Sequence, residues 1–217
     1  MREGNRLNIH SLLEYLNENG TRWSSVSNNS IELPFEVKPH EYISFAEKDL
    51  ELNDTRGRIS ALSNTKRALD CQIDSLIYAF GLHNLPKKKL RNIPCKFELI
   101  KDLGIIAPRI LSKINSFRNL VEHEFVRPSQ EQVEDFYDIV HLFLLSTEKY
   151  ILNFPNFCQI ENDEREEWLD FDYDREEGYI AFSIRGNDDK KVIKLYSSDE
   201  NYIKVYAAFI KVALSYK

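Results

Sequence analysis

The sequence predicts a mostly α-helical protein. It reads as a four-helix bundle over residues 40–153, with a small antiparallel β/α appendage over 154–217 and a short N-terminal extension over 1–39. Three observations predict this arrangement. Apolar residues recur at threes and fours through the middle of the chain. The connections between those stretches are short and punctuated by Pro or Gly. Beyond residue 153 the apolar period drops to that of a strand.

In the extension, Ser11–Leu16 is a short amphipathic stretch. Trp23–Val26 and Ile31–Val37, separated by Asn28-Asn29, read as a β-hairpin. A long helical pattern starts after Pro39, with Ile59, Leu62, Leu69, Ile73, Leu76 and Phe80 as its apolar stripe and Gly81 as its stop. Cys95–Leu103 is a second, short helix ended by Gly104. A third opens near Pro108, a favourable first-turn residue, and carries Ile110, Ile114, Phe117, Val121 and Phe125 until Pro128 ends it. Ser129 caps the fourth, whose stripe is Val133, Phe136, Val140, Phe143, Thr147 and Tyr150. Next, Leu169, Phe171 and Tyr173 alternate with Asp170, Asp172 and Asp174, as in a half-buried strand. Tyr179–Ile184 and Val192–Tyr196 flank the hairpin signal Gly186-Asn187-Asp188-Asp189. Ser198-Asp199 precedes a last helix with Ile203, Tyr206, Ile210 and Ala213 on one face.

At 217 residues the chain has room for a substantial core without a disulfide or metal staple. A hydrophobic content of 42% with thirteen Phe and eleven Tyr excludes a disordered polar chain. No apolar run nears the roughly 18 residues of a membrane span, and Met1–His10 is polar and lacks a secretory h-region. Cys71, Cys95 and Cys158 are odd in number and widely spaced, which fits neither a disulfide framework nor a zinc motif. The expected compartment is therefore a reducing cytoplasm. The net charge of −6 hides a split. Leu82–Arg127 holds ten Lys or Arg against four Asp or Glu, whereas Ser129–Glu177 holds three against fifteen. A polyanion could approach the first segment and not the second.

The stretch that carries chemistry is Arg118-Asn119-Leu120-Val121-Glu122-His123. On a helical wheel of about 100° per residue, Ile114, Phe117 and Val121 define a core side. Asn119 and His123 stack one turn apart on the outward side, with Arg118 flanking them. Imidazole can both take and give a proton near neutral pH. A guanidinium can hold phosphate oxygens as a fork and offset charge that develops on them. An amide can orient either partner. Such a face suits chemistry on a phosphodiester; it would equally serve as an ordinary polar surface with an Arg118–Glu122 pair.

This hexapeptide, late in the third helix of a predicted four-helix bundle, resembles the R-x(4–6)-H motif of the HEPN superfamily, including its polar residue after Arg. Ala68–Phe80 is similar to the family's long first helix, and the resemblance covers about residues 55–153. It implies metal-independent endoribonuclease activity without a cofactor, at a cleft shared by two subunits. Arg118 would hold the scissile phosphate, Asn119 would position it, and His123 would act as acid or base. It further implies a prokaryotic toxin or antiviral effector acting on RNA as a homodimer, with an antitoxin or regulatory partner. One departure is Phe125, which stands where members silenced by nucleotide transfer carry Tyr. A non-catalytic scaffold of the same fold that binds a nucleotide or a partner protein is the alternative.

Lys87, Lys88, Lys89 and Arg91, bracketed by Pro86 and Pro94, are candidate RNA-phosphate contacts. Asp170, Asp172 and Asp174 would share a strand face, but no nucleotide-binding signature precedes them, so no metal is called for. His10, His40, His83 and His141 show no ligand spacing. His141, among apolar residues, reads as a core histidine.

Overall fold

The computed structural model describes residues 8–105, 127–185 and 192–214. Its helices are α1 (Ile9–Asn17), α2 (Pro39–Leu50), α3 (Thr55–Ala79), α4 (Ile93–Asp102), α5 (Gln130–Thr147), α6 (Lys149–Leu152) and α7 (Tyr202–Leu214). Its strands are β1 (Thr21–Asn29), β2 (Phe154–Asn162), β3 (Trp168–Asp174), β4 (Tyr179–Arg185) and β5 (Val192–Tyr196). They form one antiparallel sheet in the order β1-β2-β3-β4-β5. The protein is thus rich in helix with a five-stranded antiparallel sheet, and no helix among the described residues is long and apolar enough to cross a membrane.

The expected N-terminal hairpin is not made. Thr21–Asn29 pairs instead with the distant β2, from Thr21 opposite Asn162 to Asn29 opposite Phe154. Ile31–Val37 is not a strand. Pro34 in the middle of that run has no N–H to give to a ladder, whereas β2 carries its proline, Pro155, next to its start and buries Phe154, Cys158 and Ile160, pairing with β1 through register shifts between Ser25 and Asn28. Ile31 still uses its backbone, donating to the carbonyl of Ile151 at 2.8 Å. The N-terminal and C-terminal segments therefore share one sheet.

The long helical pattern after Pro39 is two helices. The chain reverses between them at Asn53, whose φ is 51°, and Asp54 caps α3 by accepting from the Gly57 N–H at 2.7 Å. Glycine is required at 57: a Cβ there would overlap the backbone carbonyl of Asp49 at the end of α2. Leu62, Leu69, Ile73, Leu76 and Phe80 are buried as expected. Ile59 is not; it is 49% exposed, off the side of α3 that carries Ala61, Leu62, Thr65, Ala68 and Leu69 inward.

Val133, Phe136, Val140, Phe143 and Thr147 line the buried side of α5. Ser129 caps it in a reciprocal box with Gln132. Tyr150, half-buried, follows in α6, beyond a break at Glu148 that keeps helical dihedrals. His141 is half-exposed rather than in the core, with its ring edge on Tyr137 at 5.5 Å. The third bundle helix expected near Pro108–Phe125 lies outside the described residues.

The C-terminal segment follows its sequence pattern closely. Leu169 and Phe171 face inward, and β4 pairs with β5, although the turn signal Gly186–Asp189 lies outside the described residues. The last helix starts at Tyr202, later than Ser198-Asp199. It packs on the sheet through Phe209, stacked on Phe171 at 3.8 Å. The end of α3 is fastened to both: Tyr173 Oη donates to the Ala79 carbonyl at 2.6 Å and Tyr202 Oη to that of Phe80 at 3.2 Å.

Candidate functional site

Arg118, Asn119 and His123 lie outside the described residues, which resume on either side of 106–126. Upstream, α4 ends at Gly104, whose φ of 78° suits glycine. The Gly104 N–H bonds to the Lys101 carbonyl at 2.9 Å and the Ile105 N–H to that of Ile100 at 3.2 Å. Leu103 and Ile105 are buried at this exit. Downstream, Pro128 is buried and its carbonyl accepts Arg58 Nε from the first turn of α3 at 3.2 Å. The described residues that flank 106–126 are thus tied to the core on both sides. Beside the upstream anchor a cleft of about 1180 Å³ opens between α1, the end of α4 and α7, with Leu13, Leu103, Ala207 and Ala208 in its walls.

The basic loop is fully described. Gly81 ends α3 in the left-handed region, with φ 65°, and buried Leu82 and Leu85 anchor the next turn. Lys87–Leu90 then makes a single 3₁₀ turn, with Lys87, Lys88, Lys89 and Arg91 exposed. Asn92 caps α4, accepting from the Cys95 N–H at 3.0 Å. Four cations therefore precede a helix N-terminus, the positive end of its dipole. Both features favour an anion and repel each other without one.

Two histidine settings escaped the sequence reading because their partners come from far along the chain. His83 stacks on Tyr78 at 4.9 Å and its Nε2 faces Asn84 Nδ2 at 3.3 Å. Arg175 lies over the same Tyr78 ring at 4.8 Å and bonds Glu176. Burial, opposed by the Glu176 charge and joined by the Arg175 charge, lowers the His83 imidazole below its usual value. His40 Nε2 lies 3.0 Å from Glu148 Oε1 at a pocket of about 360 Å³ that also reaches buried Gln72. No sequence signal links residues 40 and 148.

The aspartates of β3 do not converge. Asp170 bonds Arg185, Asp172 accepts from the Tyr173 N–H at 3.0 Å, and Asp174 accepts from the Glu177 N–H at 2.9 Å. Among the described residues no three His, Cys, Asp or Glu side chains group as for a metal ion. All three cysteines are free. Burial pushes the thiols of Cys71 and Cys158 up to about 11 and about 12, which leaves them poor nucleophiles. Comparison with protein-family models, with curated proteins and with solved structures finds no match to this chain.

Proposed function

We propose that this protein is a metal-independent HEPN-type endoribonuclease that acts as a homodimer, as a prokaryotic toxin or antiviral effector in a reducing cytoplasm. The observation that carries the reading is the Arg118-Asn119-Leu120-Val121-Glu122-His123 motif on the segment between α4 and α5. Two described features agree with the reading: the 25-residue α3 packs on α5, and the exposed Lys87–Arg91 turn sits at the N-terminus of α4. RNA phosphates are drawn to that turn without sequence readout.

In the proposed reaction the substrate supplies its own nucleophile. His123, or its dimer mate, takes the proton of a ribose 2′-hydroxyl, whose oxygen attacks the adjacent phosphorus. The P–O5′ bond breaks and the leaving O5′ takes a proton from the other His123 of the dimer, which starts protonated. The products are a 2′,3′-cyclic phosphate and a 5′-hydroxyl. Arg118 offsets the added charge on the phosphorane-like transition state, where a lysine point charge is a poor substitute for the fork. Asn119 orients the phosphate.

The test is cleavage of total RNA by wild type and His123→Ala, with EDTA present throughout. Wild type should cut and the variant should be slower by about 100- to 10,000-fold, the span for loss of a positioned acid or base. RNA with 2′-O-methyl groups should stay intact. Equal cleavage of methylated RNA, or cleavage that stops with EDTA and returns with magnesium, overturns the mechanism. Unchanged RNA with folded wild type points to the scaffold instead.

A further inference from the structure

The outward face of the sheet holds a pocket that the proposed nuclease chemistry does not use. Alternation along β3 turns Leu169 and Phe171 toward the core and leaves Asp170 and Asp172 on the other face. The register sets Asp170 between Gln159 and Ser183, and Asp172 between Phe157 and Ala181. A pocket of about 350 Å³ lies among Phe157, Asp170, Asp172, Ala181, Ser183 and Arg185.

Asp170 is the anomaly there. It is only 6% exposed although it stands on the outward face. Its Oδ2 accepts from Arg185 Nε, while its Oδ1 is buried with no partner among the described residues. A carboxylate oxygen shut away from water without a donor is a costly arrangement that a donor relieves. Among the described residues the pocket's lining holds two carboxylates against one guanidinium, an excess of one negative charge. The ring of half-buried Phe157 stands in its wall, a surface that favours cations.

We infer that this pocket binds one organic cationic group, an ammonium or guanidinium, whose N–H donates to Asp170 Oδ1. The charge decides against other ligands. A phosphate or carboxylate would meet Asp170 and Asp172 as like charges. An apolar group would leave Oδ1 unpaired, and a hard divalent ion would need more oxygens than converge here. Arg185, its side chain 51% exposed at the rim, keeps Asp170 Oδ2, so the entering cation balances the second carboxylate. Two sources carry this chemistry: an Arg or Lys side chain of a partner peptide, and a free polyamine. The inference rests on the sheet alone and is independent of the nuclease reading.

Isothermal titration of the full chain tests it with three probes: agmatine, acetyl-Gly-Arg-Gly-amide, and the same peptide with neutral citrulline in place of Arg. At least one guanidinium probe should saturate the protein and the citrulline peptide should not. Agmatine alone binding identifies the free amine as the source; tighter binding of the Arg peptide identifies the side chain. Asp170→Asn should weaken the bound probe about ten- to a hundredfold, as expected for loss of a charge-assisted bond. Exposed Asp172→Asn, which keeps the fold, should weaken it about two- to fivefold and carries the test if Asp170→Asn does not fold. The inference is overturned if neither guanidinium probe saturates at millimolar concentration, if citrulline binds equally, or if both variants bind as wild type does.

Discussion

Two parts of the core are built by different means. Where the sheet meets α7, rings do the packing: Phe171 stacks on Phe209 at 3.8 Å, Phe182 meets Phe209 edge-on, and Phe80 meets both Phe154 and Tyr206. Within the helical layer, α3 buries Ala61, Thr65, Ala68, Gln72 and Ser75 beside Leu62, Leu69, Ile73 and Leu76, and a hydrogen bond at 2.8 Å joins Gln72 Nε2 to Thr147 Oγ1 of α5. Aromatic packing gains from area and tolerates small shifts. Small residues with a satisfied polar pair allow close approach at one register only, since any slip leaves a buried donor unpaired.

The largest expected effect lies on the aromatic side. Phe171→Ala removes a fully buried ring that touches Phe182, Tyr206 and Phe209. Urea denaturation should show a loss of about 3–5 kcal/mol. A loss under about 1 kcal/mol would mean that the rings close the gap, and the contrast between a packed and a pinned half would fail.

A smaller effect is expected on the pinned side. Thr147→Val keeps the shape but leaves Gln72 Nε2 buried without its acceptor, which should cost about 1–3 kcal/mol. The double variant Gln72→Leu with Thr147→Val should recover part of that loss, because neither partner is then left unpaired. If the two single losses simply add, the pair is not coupled and the register argument falls.

Smaller again, and of opposite sign, is Tyr206→Phe. The Tyr206 hydroxyl is fully buried and has no partner, and burial holds its pKa well above the usual tyrosine value. Removing it should leave stability unchanged or raise it by up to about 1 kcal/mol. By contrast, Tyr202→Phe gives up a bond to the Phe80 carbonyl and should cost about 0.5–1.5 kcal/mol. A loss at Tyr206 comparable to that at Tyr202 would show that the first hydroxyl is bonded after all.

The same contrast explains what could be read from the chain. The β3–β5 meander and α7 were legible because their signals are local: Leu169, Phe171 and Tyr173 alternate within one strand, and its partners follow directly. The partner of β1 was not, because pairing with β2 is chosen over more than a hundred intervening residues and Asn28-Asn29 offered a nearer, false turn. The break between α2 and α3 had a signal in Asn53-Asp54, a left-handed residue followed by a cap, masked by helical spacing on both sides. Of the candidate site, the four cations of the Lys87–Arg91 turn were legible from composition. The unpaired oxygen of Asp170 was not, since it depends on cross-strand register, and the His40–Glu148 pair depends on the packing of α2 near α5.

The smallest effect concerns the seam between the two parts, and it is read through pH. His83 joins the end of α3 to the β3–β4 turn through Tyr78, Asn84, Arg175 and Glu176. Burial lowers its pKa below 6.5 in the folded chain, so the unfolded chain binds the proton first as pH falls. Stability should therefore be fully present above about pH 6.5 and decline as pH drops through the lower, folded value. Arg175 adds to this direction and Glu176 opposes it. Chemical denaturation at about pH 7.5 and pH 5.5 should show wild type losing more stability on acidification than His83→Gln, which cannot take up a proton there. The reverse order would mean that Glu176 outweighs burial and that the histidine is held charged at the seam.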